Sequence, residues 1–164
     1  MTMVCATSAC FPSPIAVVSE NTPPRFGPTT SPPASRFDIF TSPVDGPDVV
    51  TRFNLTVDDP DPEPLQLRFF LDQVEYNEFP PFGLQTTFTL DPTSDGQRFR
   101  NVVIPRFCDI LNDLATHTFE AWVTDTTFQD TQPLNEVTED PETGRKGTRD
   151  VIKWVITCRL PAGG

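Results

Sequence analysis

Val49-Val50-Thr51-Arg52-Phe53-Asn54-Leu55-Thr56-Val57-Asp58-Asp59-Pro60-Asp61-Pro62-Glu63-Pro64-Leu65-Gln66-Leu67-Arg68-Phe69-Phe70-Leu71-Asp72 is the stretch that decides the fold. Ahead of its acidic, proline-rich middle, Val49, Phe53, Leu55 and Val57 alternate with Arg52, Asn54 and Thr56. Behind it, Leu65, Leu67, Phe69 and Leu71 alternate with Gln66, Arg68 and Asp72. A period of two sends successive side chains to opposite faces, so each run predicts a half-buried strand. The Asp and Pro residues between them predict a turn, because Asp bonds nearby amides and Pro fixes φ.

Outward from this pair, the same period recurs at 36–41, 84–90, 97–104, 116–125 and 150–159, between clusters of Pro, Asp and Gly. Only Asp109-Ile110-Leu111-Asn112-Asp113-Leu114 predicts helix, one or two turns long, in the crossover between the fifth and sixth strands. The expected architecture is all-β: a single Greek-key β-sandwich of about seven strands with one short helix, spanning 36–160.

Bulk composition narrows the partners. A chain of 164 residues with 37% hydrophobic content and 14 Phe can fill one core. Twelve basic against 23 acidic residues leave a net charge of -11, which repels phosphate backbones and anionic headgroups and excludes nucleic acid as a partner. Basic protein surfaces and divalent cations remain. No run of about 18 apolar residues occurs, so membrane association is expected through a lipid anchor only.

Val57-Asp58-Asp59-Pro60-Asp61-Pro62-Glu63-Pro64-Leu65 and Thr118-Phe119-Glu120-Ala121-Trp122-Val123-Thr124-Asp125 together resemble the B–C turn and F strand of an extracellular immunoglobulin-like or cadherin-like sandwich. The resemblance covers roughly 36–160 and implies binding or scaffolding rather than catalysis. Related acidic turns in cadherin-like modules help bind calcium, so it also implies Asp58, Asp59, Asp61 and Asp125 as candidate ligands for a hard cation. Against this, Pro60, Pro62 and Pro64 replace the glycine that lets a cation loop curl, and a solvated acidic turn is the competing reading. Calcium is the one cofactor in view.

The opening Met1-Thr2-Met3-Val4-Cys5-Ala6-Thr7-Ser8-Ala9-Cys10 resembles the last part of a bacterial lipoprotein signal peptide, with residues 1–10 a truncated signal and Cys10 the acylated residue. The competing reading is a leader with two thiols, or a Cys5 to Cys10 bridge. Residues 11–35 contain seven prolines and are expected as an extended spacer, with 161–164 a short tail. Ile152, Trp154, Ile156 and Cys158 share one strand face, and Cys108 stands at the end of the fifth strand. If the chain is exported, Cys108 and Cys158 are expected to form a disulfide; in a reducing compartment they are buried thiols.

Two loops are candidate protein-binding surfaces. Residues 74–82 carry Tyr76, Phe79 and Phe82 among prolines. Residues 126–149, a 24-residue connection, offer Phe128 as an apolar anchor and Arg145 and Lys146 as basic contacts. Trp122 is expected on the outward strand face. His117 is the only histidine and no nucleophile or metalloprotease phrase accompanies it, so no catalytic residue is expected. The functional expectation is an exported, lipid-anchored, immunoglobulin-like adaptor or structural protein of a bacterial cell envelope, outer membrane or surface assembly. The alternative is a carbohydrate-binding or calcium-dependent adhesion module.

Overall fold

The computed structural model describes residues 21–41, 50–72, 74–75, 87–111, 114–128, 137–139 and 144–160. Cys5, Cys10 and the remainder of the first twenty residues lie outside them, as do Tyr76, Phe79, Phe82 and residues 161–164. The elements in chain order are β1 (Arg25–Phe26), β2 (Arg36–Phe40), β3 (Val50–Asp58), β4 (Leu65–Leu71), β5 (Val74–Glu75), β6 (Thr87–Leu90), β7 (Gln97–Pro105), α1 (Phe107–Leu111), β8 (Thr116–Thr124) and β9 (Arg149–Arg159).

They form an all-β sandwich of two sheets. One has the order β1-β3-β7; the other runs β2-β9-β8-β4-β5, with β6 also pairing β4. All described strand pairs are antiparallel except β2 with β9, where Arg36 sits opposite Val155 and Phe40 opposite Arg159. The chain changes sheet between β1 and β2, β2 and β3, β3 and β4, β6 and β7, and β7 and β8, so non-local pairings hold the fold together.

The alternation read from the sequence sets which faces meet. Phe53, Leu55 and Val57 of β3, Leu65, Leu67, Phe69 and Leu71 of β4, Phe119, Ala121 and Val123 of β8, and Trp154 and Ile156 of β9 are buried between the sheets. Phe119 is the hub of an aromatic cluster: its ring centroid lies 4.9 Å from Phe53, 5.6 Å from Phe69 and 5.9 Å from both Phe107 and Trp154. Tilted and offset ring pairs of this kind add about 0.5–1.5 kcal/mol each beyond area burial.

Helix α1 begins two residues before the expected span, because Phe107 and Cys108 are drawn into the core. Cys108 is bonded to Cys158 of β9, with their Cα atoms 5.5 Å apart, within the range a disulfide bridges. The bridge ties the crossover to the last strand.

The spacer boundary is corrected. Residues 21–35 are part of the sandwich, since Phe26 pairs with Val57, Gly27 N–H donates to Thr56 O, and Ser31 exchanges both backbone bonds with Asn54. Trp154 Nε1 donates to Pro32 O, and Phe26 packs on the core. The outer edge of β3 would otherwise leave peptide groups unpaired, and a proline-rich segment still supplies carbonyl acceptors there.

Candidate functional site

Two surfaces hold most of the described residues that the sequence singles out, and a third stands apart from them. At the β3–β4 end of the sandwich, Arg98 points inward from β7 and meets Asp59 with Nη1 3.2 Å from Oδ2. Its Nη2 donates to Asp61 O at 2.8 Å and Glu63 O at 2.7 Å. Asp61 N–H donates to Asp59 Oδ1, so the proline-rich turn is wrapped around one buried guanidinium. Burial pushes the Asp59 carboxyl above its ordinary value, against the opposing pull of the Asp61 amide and Arg98. Gly96, at φ +73°, closes the turn: a Cβ there would lie 3.1 Å from Asp59 O and 3.2 Å from Pro60 Cα.

The neighbouring carboxylates are engaged in the same way. Asp61 Oδ2 accepts from Thr22 N–H, and Asp125 accepts from Thr148 N–H at 2.7 Å and Thr148 Oγ1 at 2.6 Å, and from the Asn21 amide. Among the described residues no three His, Cys, Asp or Glu side chains converge as metal ligands. Asp58, Asp59, Asp61 and Asp125, the candidate calcium ligands of the sequence, form no such group here. Asp59 and Asp61 direct their oxygens to backbone amides and Arg98, while Asp58 Oδ1 is buried without a hydrogen-bond partner among the described residues.

The second surface is the outer face of the larger sheet, which carries an arm whose described residues are 126–128, 137–139 and 144–148. Phe128 bridges Val137, Thr138 N–H donates to Thr127 O, Glu139 bridges Lys146, and Gly147 N–H donates to Thr138 O. Gly147 is required by contact, since a Cβ would sit 1.9 Å from Thr126 Oγ1. Phe128 is only 3% exposed: Arg68 Cζ lies 4.9 Å from its ring centroid, and its N–H donates to Gln66 Oε1. The expectation that Phe128 anchors a partner is overturned; it pins the arm to its own sheet. Arg145 is half-buried beside Asp125 at 3.9 Å, while Lys146 is exposed.

Trp122 faces outward as expected, yet is partly covered. Its Nε1 donates to Glu120 Oε2, Phe70 meets its ring edge-on at 6.2 Å, and Arg149 Cζ lies 5.1 Å from it. Lys153 Nζ stands 2.7 Å from Glu120 Oε1. His117 Nδ1 lies 2.7 Å from Asp72 Oδ2, while Asp72 Oδ1 accepts Thr118 N–H, an arrangement that fastens the start of β8.

The third surface escaped sequence reasoning. On the outer face of the smaller sheet stand Val50, Arg52, Asn54, Thr56 and Asp58 of β3 and Gln97, Phe99, Asn101 and Val103 of β7, with Asp58, on the Gln97 rung, the single carboxylate among these strand residues. Phe99 is 66% exposed and Val103 42%. A shallow depression of about 490 Å³ runs over the rungs Asn54–Asn101 and Thr56–Phe99. Its signal was present in the alternation of 97–104, which places Phe99 and Val103 opposite the core-facing Val102 and Ile104.

These features define a disulfide-bridged all-β sandwich with one partly apolar outer face. A scan against protein-family models finds no match, and searches of the curated proteins and of the solved structures find none either.

Proposed function

We propose that this chain is an exported, lipid-anchored, immunoglobulin-like protein that acts as an adaptor or structural component of a bacterial envelope or surface assembly. The Cys108–Cys158 bridge carries the reading, because disulfides persist in oxidising compartments and are rare where thiols are kept reduced. Cys10, preceded by Thr7-Ser8-Ala9, supplies the acylation point. The strand orders β1-β3-β7 and β2-β9-β8-β4, with the parallel β2–β9 edge, favour an immunoglobulin-like connectivity. Exposed Phe99 and Val103 favour protein binding, since apolar groups grouped on a sheet face mark interaction sites.

The ten residues from 11 to 20 reach about 35 Å at full extension, so the anchor would hold the sandwich close to the bilayer. With Cys10 as the anchor, the contact between Asn21 and Asp125 favours an arrangement with the Asp-Pro end on the membrane side and the α1 end away from it. Mass spectrometry of the chain recovered from a bacterial membrane fraction tests the proposal. A chain beginning at Cys10 and carrying diacylglycerol is expected; an unmodified chain retaining Met1 overturns it.

A further inference from the structure

We propose that β7 of one chain pairs antiparallel with β7 of a second copy, centred on Asn101, joining the two smaller sheets into one continuous sheet. The backbone directions on β3 carry this. Asn54 spends its N–H and C=O on Ser31, and Thr56 spends its own on Thr30 Oγ1 and Gly27 N–H, all on the side away from β7. In an antiparallel ladder, residues opposite such a pair also turn their peptide groups outward. Asn101 and Phe99, opposite Asn54 and Thr56, and by alternation Val103, therefore aim N–H and C=O at the outer edge of β7. Among the described residues, β7 has a strand partner on its β3 side only.

The sequence of β7 is self-complementary about Asn101. A two-fold axis there sets Asn101 opposite its own copy and Phe99 opposite Val103 of the partner subunit, so that the outward peptide groups of all three residues find partners. Aromatic and β-branched side chains directly opposite one another are a favourable cross-strand pair. Pro105, lacking an N–H, ends the ladder at its far end.

Among the described residues, β7 lacks the usual guards of an open edge. Natural edges are blunted by outward lysines, bulges or charges pointed inward beside the edge. The inward charges of β7 are already used: Arg98 binds Asp59, and Arg100 lies 4.1 Å over the Phe88 ring. Two chains of net charge -11 repel, and β7, which carries no carboxylate along its length, is an edge where they approach at low cost. The inference is independent of the lipid anchor.

Sedimentation velocity of the full chain at micromolar concentrations tests it, alongside Asn101→Pro and Phe99→Lys variants whose melting curves verify folding. Asn101 N–H makes no bond to β3, so Asn101→Pro removes interchain donors while sparing the β3–β7 ladder. The wild type is expected to dimerise. Each substitution is expected to raise the dimer dissociation constant about tenfold or more, Asn101→Pro through two lost interchain hydrogen bonds. Phe40→Lys, on the exposed end of β2, should leave it unchanged. A monomeric wild type, or a dimer that neither Asn101→Pro nor Phe99→Lys weakens, overturns the proposal.

Discussion

Arg98 and Asp59 face each other across 3.2 Å with only 1% of either side chain exposed, and the β3–β4 turn folds around them. A buried pair adds little over an apolar replacement of both partners, but removing one strands the other. Arg98→Met is therefore expected to cost about 3–5 kcal/mol of stability. Arg98→Met combined with Asp59→Leu should recover part of that loss, and urea denaturation of the two variants measures the difference.

The same carboxylate makes a prediction about pH. Burial raises the folded-state value of Asp59 above its ordinary 3.8, so the folded chain takes up a proton before the unfolded chain does. A group shifted upward adds stability as pH falls through its folded value, and the gain is complete below the unfolded one. Relative to Asp59→Asn, the wild type should thus gain stability on acidification from neutral pH toward 3.8. Paired melts across that window check the slope; a wild type that loses ground to Asp59→Asn on acidification contradicts the assignment.

The Cys108–Cys158 bridge spans 50 positions of sequence. Loop-closure entropy assigns such a cross-link about 4 kcal/mol. Replacing both cysteines with alanine, or adding reductant to the wild type, should lower the urea midpoint by a corresponding amount, and reductant should leave the double variant unmoved.

Phe128 pins the arm through its ring and its amide. Phe128→Ala is expected to release the arm locally, in the way weakly packed segments open independently of a core. Hydrogen exchange should quicken at Thr138 and Gly147, whose N–H groups bond Thr127 O and Thr138 O, while amides of β8 and β9 facing one another stay protected.

Legibility in the sequence followed the physics of alternation. Phe53, Leu67, Phe119 and Trp154 were readable as core because period two reports which side of a sheet a residue takes. It does not report what lies on that side. Phe70, Glu120 and Thr124 share the outward parity of Trp122, yet all are buried, in part because Phe128 lies against Gln66 and Arg68 of this face and Thr148 against Thr124. Arg98 occupies an inward position where the pattern calls for an apolar residue, and only the fold brings it to Asp59. Residues 21–35 read as a spacer because prolines advertise missing donors, whereas pairing there also draws on acceptors such as Pro32 O. The acidic turn was ambiguous, since the same carboxylates can circle a cation or cap backbone amides.

The disulfide also determines how the protein bears tension. A pull applied between Asn21 and Leu160 enters β9 at its last residues and crosses from Cys158 to Cys108 through a covalent bond. Residues 109–157, which contain β8, nearly all of β9 and the arm, are shunted out of the load path. Only the chain on the amino-terminal side of Cys108 can pay out. Under force residues 21–108, which carry β1 to β7, are the extensible part, in series with a covalently closed loop in which the β8–β9 hairpin bears no direct tension.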